Sequence, residues 1–155
     1  MPNSVREDIV ASIATALGNV TTGNGYNNTL ASVQRFQQGG LAVATVPTVV
    51  VTFDSETKTI GPDFRATCEL VVEVDIWAIH DTETVSGDTA TLIDSLAADC
   101  EKAIMQDPGR SSKARDTSIR SVVPFRLAEG QPFVGATISC IIEYAHQGDD
   151  PFTVR

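Results

Sequence analysis

Residues that could bind a metal or act in catalysis are few and scattered in this sequence. The two histidines, His80 and His146, each follow an apolar stretch that is typical of a strand. The acidic residues closest to them in sequence are Asp81, Glu83 and Asp149. The histidines form no i, i+4 pair, and no third ligand has a fixed position relative to them. We therefore favour two solvated strand ends and predict no metal site, no catalytic residue and no cofactor.

Motifs with a fixed catalytic spacing do not occur: the sequence has no G-x-S-x-G, no H-E-x-x-H and no Walker A pattern. The segment Gly23-Asn24-Gly25 lacks the third glycine of a dinucleotide-binding turn and follows a helix, so it indicates a loop. The three cysteines, Cys68, Cys100 and Cys140, are far apart and odd in number. They are typical of small buried hydrophobic residues in a reducing compartment.

Length and composition favour one soluble domain over residues 1–155. The chain has 42% hydrophobic and 20% charged residues, which is ordinary for a globular protein. It contains no run of 18 apolar residues, and its N-terminus lacks the pattern of a secretory signal, so we expect neither a membrane span nor export. The net charge of −9 argues against broad binding to nucleic-acid phosphates.

The longest strand signal is the segment 64–80, FRATCELVVEVDIWAIH. Its even-numbered residues from Phe64 to Ala78 are mostly apolar, and its odd-numbered residues include Glu69, Glu73, Asp75 and Trp77. Alternation at period two predicts a strand that is buried on its even-numbered face. A strand of this length could extend beyond its own domain and pair with a neighbouring molecule.

The remaining elements are predicted from caps, periodicity and turn residues. Helices are predicted over 4–17, with a Ser4/Glu7 capping box, and from Ser86 or Asp88 to about Asp107. Further strands are predicted over 30–36, 47–53, 119–125 and 133–144, with the segment 37–45 left open. The segment 54–63 is predicted to be a polar connection that joins two strands in a long hairpin. Residues 80–88 are predicted to form an acidic loop and 146–155 a flexible tail. The order α-β-β-β-α-β-β predicts an α+β fold, in which two helices pack on one face of a mixed or antiparallel sheet of about four to five strands.

Charge is distributed unevenly along the chain. Residues 54–107 contain thirteen acidic and three basic side chains, whereas residues 108–126 contain five basic and one acidic. One interpretation is a solvated acidic helix followed by a solvated basic loop; another is that surfaces of opposite charge meet between copies of the chain. The candidate interface residues are Asp54, Glu56, Lys58, Arg110, Lys113, Arg115 and Arg120. Trp77 is a further candidate, either as an interface anchor or as a residue covered within the monomer.

The sequence as a whole resembles the tail terminator, or tail completion, proteins of tailed bacteriophages. The resemblance covers nearly the whole chain and depends on the order of five features. These are the opening helix SVREDIVASIATAL, a Gly/Asn loop, PTVVVTFDSE followed by CELVVEVDIWAIH, the helix LIDSLAADCEKAIMQD and a closing strand pair. The family has no catalytic signature, and related head–tail connector proteins share a similar fold.

The resemblance implies a virion protein that assembles in the bacterial cytoplasm as a homohexameric ring. The ring would sit on the head-proximal end of the tail tube, stop tube polymerisation and join the tail to the neck. The implied partners are further copies of the chain, the tail tube protein, a head-completion protein and, in some phages, the sheath protein. DNA would pass through the ring without specific binding, and an acidic lumen would suit that passage because like charges repel. A small α+β ligand-binding domain or enzyme is the competing class, and it would need a pocket with convergent polar groups.

Overall fold

Two helices pack on one face of a six-stranded mixed sheet, which confirms the predicted α+β fold. The computed structural model describes residues 2–35, 46–79, 86–126 and 132–154. The elements are α1 (Val5–Gly18), a short 3-10 turn (Thr22–Asn24), β1 (Ser32–Gln34), β2 (Thr48–Ile60), β3 (Arg65–Ile79), α2 (Ser86–Met105), β4 (Asp116–Arg126), β5 (Phe133–Gln147) and β6 (Asp150–Val154).

The strands lie side by side in the order β1-β2-β3-β5-β4. β1 is parallel to β2, and the other described pairings are antiparallel. β3 pairs with β5 along its whole length, from Arg65 opposite Gln147 to Ile79 opposite Phe133. One side of β5 is occupied by β3. The strands β4 and β6 therefore both pair with the other side of β5, with β6 beyond the end of β4. The two long central strands therefore form the rigid frame of the molecule.

The hydrophobic core lies between the helices and the even-numbered face of β3. Every even-numbered residue from Ala66 to Ala78 is buried, as the alternation predicts. Phe64 was expected to continue this face, but it lies in the turn before β3 and is 76% exposed. Its φ of 56° takes the backbone out of the extended conformation, so the side chain leaves the alternation.

Helix α1 begins where the sequence predicts, with Ser4 as its N-cap. The Ser4 hydroxyl accepts a hydrogen bond from the Glu7 backbone N–H at 3.2 Å, which is one half of a capping box. The other half is absent from the described contacts, because the Glu7 carboxylate instead accepts two hydrogen bonds from the Arg35 guanidinium. Val5, Ile9, Ile13 and Leu17 are buried in the core, as their spacing of four predicts.

The apolar residues of α2 recur at steps of three and four, which predicts one buried face, and all but one of the residues named here follow that prediction. Ile93, Leu96, Cys100 and Ile104 are buried, whereas Ala90 is exposed. The three cysteines are buried and free, as predicted. The open segment 37–45, the loop residues 80–85 and the turn at 129–132, apart from Pro132, lie outside the described residues.

Two segments predicted as irregular are strands. Residues 54–60 continue β2, because their backbone pairs with Ala66–Val71 after a bulge between Phe53 and Ser55. The turn is therefore confined to a few residues, with the Gly61 N–H donating to the Arg65 carbonyl. The predicted flexible tail contains β6, which pairs with the end of β5. The first prediction was wrong because polar composition indicates a loop, whereas pairing with a neighbour decides the conformation. The second was wrong because chain ends are usually poorly ordered, whereas pairing with β5 orders this one.

Candidate functional site

The odd-numbered face of β3 points away from both described helices, and we call it the open face. Cross-strand pairing places the odd-numbered residues of β5 beside it, followed by one row of β4. The carboxylates on this face are Glu69, Glu73, Asp75, Asp116 and Glu143. Arg65 lies on the same face at the N-terminal end of β3. The face is therefore strongly acidic over most of its length.

Three of these carboxylates form a row that crosses three neighbouring strands. Glu69 of β3 is directly opposite Glu143 of β5, and Glu143 is directly opposite Asp116 of β4. All three side chains are exposed. Like charges at directly opposite positions destabilise a sheet. Cross-strand contacts within this row therefore do not stabilise the isolated chain.

Closer to the middle of the open face, the carboxylates are partly withdrawn from water. The Thr137 hydroxyl donates a hydrogen bond to Asp75 at 2.5 Å. Desolvation raises the pKa of Glu73 above its usual value, and the nearby charges of Asp54 and Asp75 raise it further. Three carboxylates, of Asp54, Glu73 and Asp75, therefore lie close to one another in this part of the face.

An aromatic pair lies at the other end of the open face. The ring centroids of Trp77 and Phe125 are 4.7 Å apart, and their planes meet at 64°. Gly135 of β5 lies between them, opposite Trp77 on one side and Phe125 on the other. The Trp77 side chain is half-buried, and its indole N–H has no hydrogen-bond partner among the described residues. Trp77 is therefore partly covered within the chain by Phe125 rather than by a helix.

A groove of about 700 Å³ lies on the opposite face of the sheet, between α2 and the β4 edge. We call it the α2–β4 groove. Its apolar lining includes Ala90, Ile93, Ala97, Val122, Pro124 and Val134. Asp94 and Glu101 of α2 also line it, so an occupant would meet an apolar floor beside carboxylates. Ala90 and Ala98 explain its width, because small side chains on this part of α2 leave space above the edge strand.

The basic residues that were predicted to form an interface differ in exposure. Arg110 is only 1% exposed, so it cannot be a surface contact. Its guanidinium donates hydrogen bonds to the Ile104 carbonyl at the end of α2 and, at 3.2 Å, to the Thr117 hydroxyl. Carbonyls in the last turn of a helix have no partner within the helix, and a buried cation satisfies them. Arg110 therefore links the C-terminal end of α2 to β4 through hydrogen bonds.

Lys113 also has a partner within the chain. Its ammonium group contacts the Asp8 carboxylate of α1 and holds the pKa of that carboxyl below its usual value. Arg115 and Arg120 have exposed side chains, so they fit the interface prediction by accessibility. The exposed basic surface is therefore smaller than the sequence indicates.

The predicted contact residues of segment 54–63 also differ in exposure. Asp54 is exposed, but the Glu56 side chain is only 5% exposed and contacts Arg6 and Lys58. The Tyr144 hydroxyl donates a hydrogen bond to Glu56. Burial alone would raise the pKa of Glu56, but the hydrogen bonds from Tyr144 and Lys58 and the nearby cations hold it below its usual value. Glu56 therefore fixes α1 to the sheet.

His146 is not the solvated strand end that the sequence suggests. It is 3% exposed, and its ring nitrogens contact the Gln147 carbonyl and, at 3.3 Å, the Lys58 ammonium. A neighbouring ammonium is unfavourable for a metal ion at the same nitrogen. Within the part of the chain that the structure describes, no group of three His, Cys, Asp or Glu side chains could hold a metal ion. His80, Asp81 and Glu83 lie outside that part.

Two features of the site were missed in the sequence. The row of Glu69, Glu143 and Asp116 depends on the register of three strands, and the α2–β4 groove depends on how the helix sits over the edge strand. The alternation of β3 placed Glu69, Glu73 and Asp75 on one face, so part of the acidic face was foreseeable.

No protein-family model matches the chain, and no curated protein is significantly similar to it in sequence. Among the described helices, none is both long and apolar enough to cross a membrane.

Proposed function

We propose that this chain is a structural protein of a tailed bacteriophage, which forms a ring on the head-proximal end of the tail tube. The ring stops tube polymerisation and joins the tail to the head or neck. The observation that carries the proposal is the acidic open face, in which Glu69, Glu143 and Asp116 extend across three strands with no described helix over them. The proposed position in the virion, at the junction of tail and neck, comes from the resemblance of the sequence to tail terminator proteins.

In this proposal the open face lines the channel of a homohexameric ring. Carboxylates such as Glu69 and Glu143 would repel the phosphates of DNA, so the genome would pass without binding. Mutual repulsion within the row is tolerated because the two central strands are long and fully paired. Basic side chains facing the channel in place of this face would contradict the arrangement.

Capping follows from surface complementarity and needs no covalent chemistry. One rim of the ring docks on the last ring of tail tube protein, and the other rim offers no tube-like surface, so growth ends. That second rim then receives the head-completion or neck protein; the sheath protein is a further partner in phages with contractile tails. Among the candidate contact residues, Arg115 and Arg120 are exposed and available for these contacts.

Tube assembly tests the proposal. Tail tube protein is polymerised with and without this chain, and tube lengths are measured by negative-stain electron microscopy. The proposal predicts shorter tubes of uniform end structure, with a ring at one end. Tubes of unchanged length and bare ends would contradict it. Rings that bind at the neck but leave tube length unchanged would favour another head–tail connector.

A ligand-binding domain is the second candidate, and the α2–β4 groove is the observation that favours it. The groove has a volume of about 700 Å³ and is lined by the polar residues Thr89, Asp94 and Glu101 as well as by apolar side chains. That volume is typical of small-molecule sites. A library of small molecules screened by thermal shift would support this candidate if hits are abolished by Ala98→Trp, at an exposed position of the groove, and retained by Thr67→Trp on the exposed part of β3.

A further inference from the structure

Two hairpin turns meet at one end of the sheet and expose apolar side chains there. The β2–β3 turn and the β5–β6 turn are joined by a hydrogen bond of 2.6 Å from the Gly148 N–H to the Phe64 carbonyl. The exposed large hydrophobic residues near these two turns are Ile60 (63%), Phe64 (76%), Phe152 (51%) and Val154 (41%). We call this set the hairpin end. It accounts for half of the eight large hydrophobic side chains that are exposed in the described residues.

Phe64 is conformationally costly at its position. Its φ of 56° lies in the left-handed region, where a bulky residue is a genuine outlier and glycine is unstrained. Its ring is mostly exposed, so packing within the chain does not compensate for this strain. The Phe64 backbone makes hydrogen bonds with Gly61 and Gly148, but a glycine could make both, so they do not account for the bulky side chain. A strained aromatic residue whose ring is not packed within the chain fits a role toward a partner. Large aromatic side chains are the usual anchors of protein interfaces.

The α2–β4 groove lies at the opposite end of the same sheet. Its residues Val134 and Ala136 pair with Ala78 and Ile76, near the C-terminal end of β3, whereas the hairpin end adjoins Arg65. From Arg65 to Trp77, at about 3.3 Å per residue, β3 extends about 40 Å. The hairpin end therefore cannot reach the groove of its own chain, but it can reach the groove of a second copy.

We propose that the hairpin end of one copy occupies the α2–β4 groove of the next, with Phe64 as the anchor. The two surfaces are different and lie at opposite ends of the sheet, so the contact is heterologous, and repeated contacts of this kind close into a ring when the rotation permits. This inference rests on the proposed ring and names the contact that builds it.

The areas involved are consistent with such a contact. A buried phenylalanine accounts for about 150–250 Å², so the four side chains of the hairpin end, already partly covered, offer on the order of 400 Å². Each partner of a standard interface buries about 800 Å². The apolar anchor thus supplies about half of the area that the hairpin-end partner must bury, and polar groups of the same two turns supply the rest as a rim.

Cysteine cross-linking tests which surfaces meet. Phe64→Cys and Ala98→Cys place single exposed thiols in the hairpin end and in the groove, while the three native cysteines are buried. We expect a cross-linked dimer when the two variants are mixed and oxidised, and little product from either variant alone. Met105→Cys, which is also exposed on α2 but outside the groove, is the matched control and should give at least tenfold less product. Efficient self-cross-linking of Phe64→Cys, or a mixed product no greater than the control, would overturn the proposal.

Phe64→Gly separates an interface role from a packing role. Glycine relieves the strain at φ 56°, so the monomer should be as stable as the wild type or more stable. Self-association measured by analytical ultracentrifugation should weaken at least tenfold. A destabilised monomer, or unchanged association, would overturn the proposal.

The same variants distinguish this contact from the proposed function. Capped tubes whose rings fail to cross-link between positions 64 and 98 would refute the contact and leave the function standing. Specific cross-linking with no effect on tube length would refute the function and leave the contact standing.

Discussion

Trp77 and Phe125 contact each other across an intervening strand, with ring centroids 4.7 Å apart. The contact is possible because Gly135, which lies between them, has no side chain: a Cβ there would be 2.6 Å from the Phe125 Cζ and 1.9 Å from the Ile76 carbonyl oxygen. One glycine thus allows two aromatic side chains to pack on the open face.

Gly135→Ala should accordingly lower the free energy of unfolding by about 3 kcal/mol, since overpacking forces backbone shifts. Gly18→Ala is the control: a Cβ there has no neighbour within 4 Å, and alanine is the better helix former, so it should be neutral or stabilising by up to about 1 kcal/mol. Urea unfolding measures both. Equal stabilities for the two variants would contradict the close approach at Gly135.

Asp99 is predicted to stabilise the loop that follows α1. Its buried carboxylate accepts hydrogen bonds from the backbone N–H groups of Asn27 (3.2 Å) and Asn28 (2.8 Å) and from both side-chain amides. Burial would raise the pKa of Asp99, but these hydrogen bonds outweigh it and hold the pKa below its usual value. Asp99→Asn should lower the free energy of unfolding by about 2 kcal/mol at pH 7.

The pH dependence of this variant gives a second check. A carboxyl with a lowered pKa contributes stability above its unfolded-state pKa of about 3.9, and that contribution is lost as the pH falls through the folded-state value. The difference between wild type and Asp99→Asn should therefore be greatest near neutral pH and shrink below about pH 4. A difference that is independent of pH would show that the charge on Asp99 does not matter.

Arg110 is expected to act on folding, not on assembly. Arg110→Glu removes the cation that contacts the Ile104 carbonyl and buries an unpaired charge, so we expect a loss of about 3–5 kcal/mol in unfolding free energy. Arg115→Glu, on an exposed side chain, should change it by no more than about 0.5 kcal/mol. Thermal unfolding followed by circular dichroism compares them, and an equally mild effect of both variants would refute the buried role of Arg110.

The native thiols are expected to be unreactive in the folded protein. Burial raises the pKa of Cys100 and of Cys140 to about 12, and Cys68 is also buried with a raised pKa. The thiolate is the reactive form, so an aromatic disulfide reagent at pH 8 should modify none of the three rapidly, and all three in denaturant. Rapid modification of any one of them without denaturant would contradict the described packing.

Much of the fold could be predicted because local patterns and tertiary packing agree. The alternation of β3 correctly assigned its buried face from Ala66 to Ala78, and Ser4 correctly marked the start of α1. Residues 54–60 were mistaken for a loop because their polar side chains hide a strand that is specified by pairing with β3. β6 was missed for a different reason: it lies near the C-terminus, and five residues carry too short a pattern to indicate a strand.

The candidate site was less predictable, because its surfaces combine residues that are distant in sequence. The sequence predicts that Arg110 is a surface cation, because charged side chains are mostly exposed. In the structure the buried Ile104 carbonyl at the end of α2 accepts a hydrogen bond from it. Glu56 was misassigned for a similar reason, since Arg6 and Tyr144 come from other elements. Of the predicted interface residues, Asp54, Lys58, Arg115 and Arg120 are exposed and remain candidates.

Solution mass, measured by light scattering after size exclusion at low and at high salt, tests the central proposal most directly. We predict a ring of about six copies of the 16.5 kDa chain, or a monomer that becomes such a ring when tail tubes are added. Because Arg110 and Lys113 are engaged within the chain and the proposed contact is apolar, the ring should persist at about 1 M salt, where screening acts within about 3 Å. A chain that stays monomeric under all these conditions, including in the presence of tubes, would contradict the account.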